Sequence, residues 1–136
     1  GNPRRVSNGV EYNRAMLLLA VLEKRGGLLL GNCDAYLNVI GGLSLDEPAA
    51  DLAAMLALAS SFRDKPVPSG LAAIGEVGLT GELRAVSNLG QRLSEVRRLG
   101  FTKCLIPKRI QGKLAAPEGL ELIRVANIRE ALAALL

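Results

Sequence analysis

Histidine and tryptophan are absent from this chain of 136 residues, and only two phenylalanines and two tyrosines are present. Without histidine there is no base for a Ser-His-Asp or Cys-His nucleophile. Cys33 and Cys104 are the only cysteines, about 70 residues apart and with no CxxC spacing, so a metal site of the usual zinc pattern is excluded. They read as buried free thiols. With so few rings the core must be aliphatic, and binding of single strands by stacking bases on exposed aromatics has little to work with.

Long apolar runs are missing too. None approaches the ~18 residues that span a bilayer, and no leader precedes the first element, so the expectation is a cytoplasmic protein without membrane contact. Neither G-x-x-x-x-G-K-[ST] nor G-x-G-x-x-G occurs, so no nucleotide-phosphate loop and no cofactor are expected in this stretch. Gly26-Gly27 and Gly41-Gly42 read as turns, because a glycine pair alone carries no cradle geometry.

What is there is ordinary globular material, 49% hydrophobic and 22% charged. A chain of this length suits one domain and buries roughly two-thirds of its unfolded surface. The net charge is +4, from 17 lysines and arginines against 13 acids. Arg4-Arg5, Lys24-Arg25, Arg97-Arg98 and Lys108-Arg109 with Lys113 form local basic clusters, which matter for an acidic partner only if folding or assembly gathers them.

Along the chain, Asn2-Pro3 starts an extended segment. Ser7 or Asn8 is the expected cap of a helix over 10–25, apolar over more than half its girth and closed by Gly26-Gly27. Segments 28–30 and 35–40 predict two strands of a hairpin across a Gly-Asn-Cys-Asp turn. Ser44 or Asp46 then caps a helix over 47–62, in which Leu52, Met55, Leu56, Ala59 and Phe62 recur at helical spacing. After a loop over 64–70, strands are expected over 71–77 and 82–86, a helix capped by Ser87 up to 99, and short strands over 103–106 and 120–125. Asn127 caps a last helix to 136. Strands and helices alternate without a repeat or linker, which predicts one α/β (α+β) domain, residues 1–136, with a mixed sheet packed by helices.

Several words stand in a telling order: Asn2-Pro3-Arg4-Arg5, Glu11-Tyr12-Asn13-Arg14, Asn38-Val39-Ile40-Gly41-Gly42, a Ser-Ser-Phe-Arg-Asp word ending at Asp64, a Gly-Glu-Val-Gly-Leu-Thr-Gly-Glu word over 75–82, and Leu99-Gly100-Phe101 before Leu105-Ile106-Pro107. Together they resemble the C-terminal domain of the RadA (Sms) family of bacterial DNA-repair proteins, a domain similar in fold to the proteolytic domain of Lon peptidases. Lon peptidases use a Ser-Lys dyad, in which a buried lysine deprotonates near neutral pH and takes the serine proton. The resemblance places the serine position at Ala49 and the lysine position at Gly90, so both halves of the dyad are missing. Arg92 cannot replace the base, because a guanidinium does not deprotonate in proteins.

The resemblance further implies the last part of a longer RecA-like ATPase that forms a hexameric ring and acts on branched DNA in repair and recombination. For sequence-independent contact with DNA phosphates the candidates are Arg4, Arg5, Arg14, Arg84 and Arg92, with Lys108, Arg109 and Lys113 behind them; the competing reading of each is a weak surface ion pair. Two alternatives stay open. One is a pure oligomerisation scaffold. The other is a residual peptidase built on Ser44 with Lys103 or Lys108 as base, which requires nucleophile and base to meet at about 2.6–3.2 Å.

Overall fold

Along Lys103–Pro107, side chains alternate between two apolar layers, and the rest of the molecule is arranged on either side of that strand. The computed structural model describes residues 2–39 and 46–135. In chain order its elements are β1 (Arg5–Asn8), α1 (Tyr12–Gly26), β2 (Ala35–Asn38), a 3₁₀ turn (Pro48–Ala50), α2 (Asp51–Arg63), β3 (Leu71–Ala73), β4 (Glu76–Val77), β5 (Leu83–Arg84), α3 (Leu89–Arg98), β6 (Lys103–Pro107), β7 (Glu121–Val125) and α4 (Ile128–Leu135). The α/β class holds. The strands are divided among a parallel three-stranded sheet ordered β3-β6-β7, a parallel pair β1-β2 and an antiparallel pair β4-β5.

The β3-β6-β7 sheet is covered on both faces, as parallel sheets generally are. Leu105, Ile123 and Ala73 face α1, α2 and α4, where Leu22, Leu52 and Met55 are fully buried. Cys104, Ile106 and Leu122 face the other way, toward α3, Leu93 and Ala49. This is the period of two that a pleated strand imposes. Each fully buried leucine contributes roughly 1.5–3 kcal/mol, and the core is aliphatic as the composition demands.

Three local expectations are corrected. Residues 28–30 are not a strand, and 35–38 forms no hairpin with them; β2 instead pairs in parallel with β1, Arg5 opposite Ala35 and Asn8 opposite Asn38. The tight turn is real, with the Cys33 N–H donating to Leu30 O at 3.0 Å, but the strand's partner lies some thirty residues upstream, and local turn chemistry could not reveal it. Helix α1 is capped by Glu11, whose carboxylate accepts from the Asn13 and Arg14 N–H groups at 3.0 and 2.9 Å, and Ser7 Oγ is buried without a partner among the described residues. Helix α3 starts from Asn88 in the left-handed conformation (φ 55°) with no side-chain cap, not from Ser87. The caps at Gly27 and Asn127 are as expected.

The predicted strand 71–77 is broken after Ala73 for a local structural reason. The backbone turns at Gly75 to serve the 3₁₀ turn: its N–H donates to Ala49 O at 2.9 Å and its carbonyl accepts from the Leu52 N–H at 3.0 Å.

Candidate functional site: a closed helix corner and a basic cleft

The corner where Pro48–Ala50 runs into α2 is the place at which the Lon-like resemblance puts a nucleophile. A helix start normally leaves N–H groups free to hold an anion. Here each is occupied. The Ala49 N–H donates to Glu47 Oε1 at 3.3 Å, the Ala50 N–H to Glu47 O at 3.0 Å, the Asp51 N–H to Pro48 O, and the Leu52 N–H to Gly75 O. Ala49 itself is buried among Leu89 and Leu93, while Gly90 is exposed on the first turn of α3, with open space where a side chain would be.

Charged groups close the corner from outside. Arg92 Nη2 meets Glu47 Oε1 at 3.0 Å, and its Nε donates to Ser87 O at 2.8 Å. Asp51 is buried, pairs with Arg14 through a fork that includes Nε to Oδ1 at 3.0 Å, and accepts from the Val77 N–H at 3.1 Å. A cavity of about 270 Å³ lies between α1 and this corner, lined by Arg14 together with Glu11, Asp46, Glu47 and Asp51. With Arg14 paired to Asp51, the remaining charge of this wall is negative and disfavours phosphate. Ser44 lies outside the described residues, and the two lysines proposed as its base sit at opposite ends of β6, where Lys103 Nζ is 4.0 Å from Glu121 and Lys108 Nζ 3.1 Å from Glu130.

The basic candidates sort into three groups. Arg5, Arg14 and Arg92 are engaged within the chain: Arg5 donates to the carbonyls of Cys33 and Leu30, and the other two serve the corner. Arg4 and Lys113 are exposed and lie apart from each other, Arg4 at the edge of β1 with its backbone N–H on Asp34, and Lys113 in the loop after β6. Arg84, Lys108 and Arg109 come together on a cleft of about 740 Å³ floored by Leu83, Ala85 and Ala126. The cleft exists because three segments converge: the Leu83 N–H donates to Ala126 O and the Lys108 N–H to Val125 O, both at 2.9 Å.

Two acids set the field of this cleft. The Thr80 hydroxyl, donating at 2.8 Å, is the main cause that lowers the Glu82 carboxyl pKa, with Arg84 adding to it. The Lys108 ammonium does the same for Glu130, helped by the Ala126 N–H. Arg84 lies 4.0 Å from Glu76 and 3.7 Å from Glu82, distances of loose pairing, and Arg109 has no ion pair among the described residues. The sequence flagged the cations and, within the word over 75–82, Glu82, but not Glu130, since nothing in its spacing distinguishes it from other surface glutamates. Among the described residues no group of three metal-ligating side chains occurs, and no helix is long and apolar enough to cross a membrane.

With the corner and the cleft described, comparison with known proteins gives the fold its family. Residues 33–136 match the family described as the Lon protease (S16) C-terminal proteolytic domain, and the chain belongs to that family. More particularly, it is similar to proteins named DNA repair protein RadA: 55% identical to that of Bacillus subtilis, 49% to that of Streptococcus pneumoniae and 50% to that of Halalkalibacterium halodurans, in each case over 97% of this chain. The resemblance to the RadA C-terminal Lon-like domain therefore holds over nearly its whole length. The chain spans only 29% of the B. subtilis relative and 31% of the S. pneumoniae one.

Proposed function

We propose that this is a non-proteolytic Lon-like domain of a longer cytoplasmic ATPase of DNA repair and recombination, which assembles as a hexameric ring and contacts DNA phosphates. The observation that carries the DNA part is the gathering of Arg84, Lys108 and Arg109 on one cleft, on a chain that is otherwise only mildly basic. Contacts of this kind are sequence-independent and salt-sensitive, and a ring multiplies the modest charge of each subunit into a substantial field. The relatives' name, DNA repair protein RadA, agrees with such a partner. The closed corner supports the absence of proteolysis: it offers neither a nucleophile at Ala49, nor a base at Gly90, nor free N–H groups for an oxyanion.

A scaffold that ignores DNA is the second reading, and the β1-β2 pair favours it. A two-stranded sheet is marginal on its own, and the cross-strand neighbours Val6 and Tyr36 are 41% and 61% exposed on it, as a surface awaiting a neighbouring subunit would be. Sedimentation combined with binding of a labelled duplex at two salt concentrations separates the readings. A hexamer whose DNA affinity falls with salt, and falls further in Arg84→Ala/Arg109→Ala, is the expected result; a hexamer without DNA affinity makes the domain a scaffold.

A further inference from the structure

Beside the basic cleft lies a smaller one of about 290 Å³, lined by Arg25, Thr80, Gly81, Asn127, Ile128 and Arg129. The two are neighbours by construction. Segment 81–83 runs antiparallel to 126–128, with Glu82 bridged to Asn127, the Leu83 N–H on Ala126 O and the Ile128 N–H on Gly81 O at 2.8 Å. One cleft opens along residues 82–85 of this ladder and the other along 80–81.

Arg25, on the last turn of α1, is brought there by Gly81. That glycine has φ +84°, and a side chain on it would meet Arg25 Cβ at 3.0 Å and Ile128 Cγ2 at 3.1 Å. The stem of Arg25 thus lies against the turn backbone. Arg129 stands next to it, its Nη2 donating to Arg25 O at 3.5 Å. Both are exposed, and neither has a carboxylate within ion-pair distance among the described residues, whereas Arg84 and Lys108 each face acids. Arg25, Arg129 and Arg109 are thus exposed cations of the two clefts with no ion pair among the described residues.

We infer that Arg25 and Arg129 extend the basic cleft into one track, Arg109-Lys108-Arg84-Arg129-Arg25, that follows the phosphodiesters of a DNA duplex along one strand; this rests on the DNA-binding reading above. The five cations line two clefts that share one ladder. Paired arginine forks also suit phosphate oxygens better than isolated lysines.

The test is anisotropy of a labelled 20-base-pair duplex titrated with the chain over a series of salt concentrations. Arg25→Gln/Arg129→Gln is expected to bind about tenfold more weakly and to lower the slope of log affinity against log salt by roughly two, one contact per arginine. Arg25→Lys/Arg129→Lys should retain most of both. Because the Arg25 stem packs on Gly81, Arg129→Gln alone, whose side chain makes one long bond among the described residues, serves as the milder variant, its fold checked by circular dichroism; it should lose about one unit of slope. If Arg25→Gln/Arg129→Gln binds like the parent while Arg84→Gln/Arg109→Gln does not, the track is wrong and the cleft stands. A parent chain with no salt-sensitive affinity overturns both. Displacement of the duplex by inorganic phosphate beyond what chloride of equal ionic strength achieves identifies a small-anion site and overturns the track. Unchanged DNA affinity with a lost oligomer in sedimentation overturns it as well.

Discussion

Glu47 Oε1 holds both the Arg92 guanidinium, at 3.0 Å, and the Ala49 N–H, at 3.3 Å. One carboxylate thereby ties the Pro48–Ala50 turn to helix α3. The pair is half exposed and contributes at most about 1 kcal/mol; its effect is positional, since the Arg92 Nε on Ser87 O fixes where α3 begins relative to the corner.

Placing a serine and a lysine where the resemblance puts the dyad should not create a peptidase. In Ala49→Ser/Gly90→Lys the new lysine sits on the exposed turn of α3, where nothing desolvates it and its pKa stays near ~10.4. No turnover of a fluorogenic peptide above the parent chain is expected at neutral pH. Turnover that requires both substitutions would contradict the assignment of a closed corner.

Arg14→Ala should be among the most destabilising single changes on the surface. Asp51 is 4% exposed, and losing its guanidinium leaves a buried charge held, among the described residues, by the Val77 N–H. The expected loss is about 3 kcal/mol, read as a lower urea midpoint with unchanged slope. Asp51→Asn in the same background should recover part of it by removing the orphaned charge. The salt dependence of DNA binding should not change, because Arg14 already has its partner inside the chain.

Glu130→Gln should strengthen DNA binding several-fold and steepen its salt dependence by about one contact, because it releases Lys108. Stability behaves in the opposite sense. The carboxyl pKa of Glu130 is lowered from its ordinary 4.5, so its contribution is fully present above about that pH and is lost as pH falls through the lower folded value. An acid titration followed by circular dichroism should show a shallower loss in Glu130→Gln than in the parent.

Cys104 is fully buried, and burial pushes its thiol up from 9.0 to about 12. The unfolded chain releases this proton first, so stability should decline as pH rises through that window. In Cys104→Ala the alkaline decline should be smaller, measured by urea midpoints at pH 8 and pH 10. In the native state a thiol reagent should modify the half-buried Cys33 and spare Cys104.

Much of the fold was legible because it is local. Helical spacing gave α2 through Leu52, Met55, Leu56 and Ala59, and Asn127 and Gly27 marked helix ends that the structure keeps. The parallel β1-β2 pairing was not legible, since a Gly-Asn turn signals a hairpin and nothing near Ala35 points back to Arg5. Nor could the sequence separate arginines that hold the chain from those free to hold something else. Arg14 and Arg84 read alike, and only the position of Asp51 in the fold distinguishes them. Arg25 was legible only as part of a local Lys24-Arg25 cluster, because its neighbour Arg129 is 104 positions away in sequence.

Strand β6 divides the interior, with Leu105 in one layer and Cys104 in the other. Its single thiol is consequently a one-sided witness. The rate at which Cys104 becomes reactive reports openings on the α3 side of the sheet, where Leu93, Ala49 and Ile110 share its layer, and not separations confined to α1 or α4. If DNA or a neighbouring subunit braces the α3 side, that rate will slow before any change in global unfolding is measurable, which gives this domain a native clock for motions on one face alone.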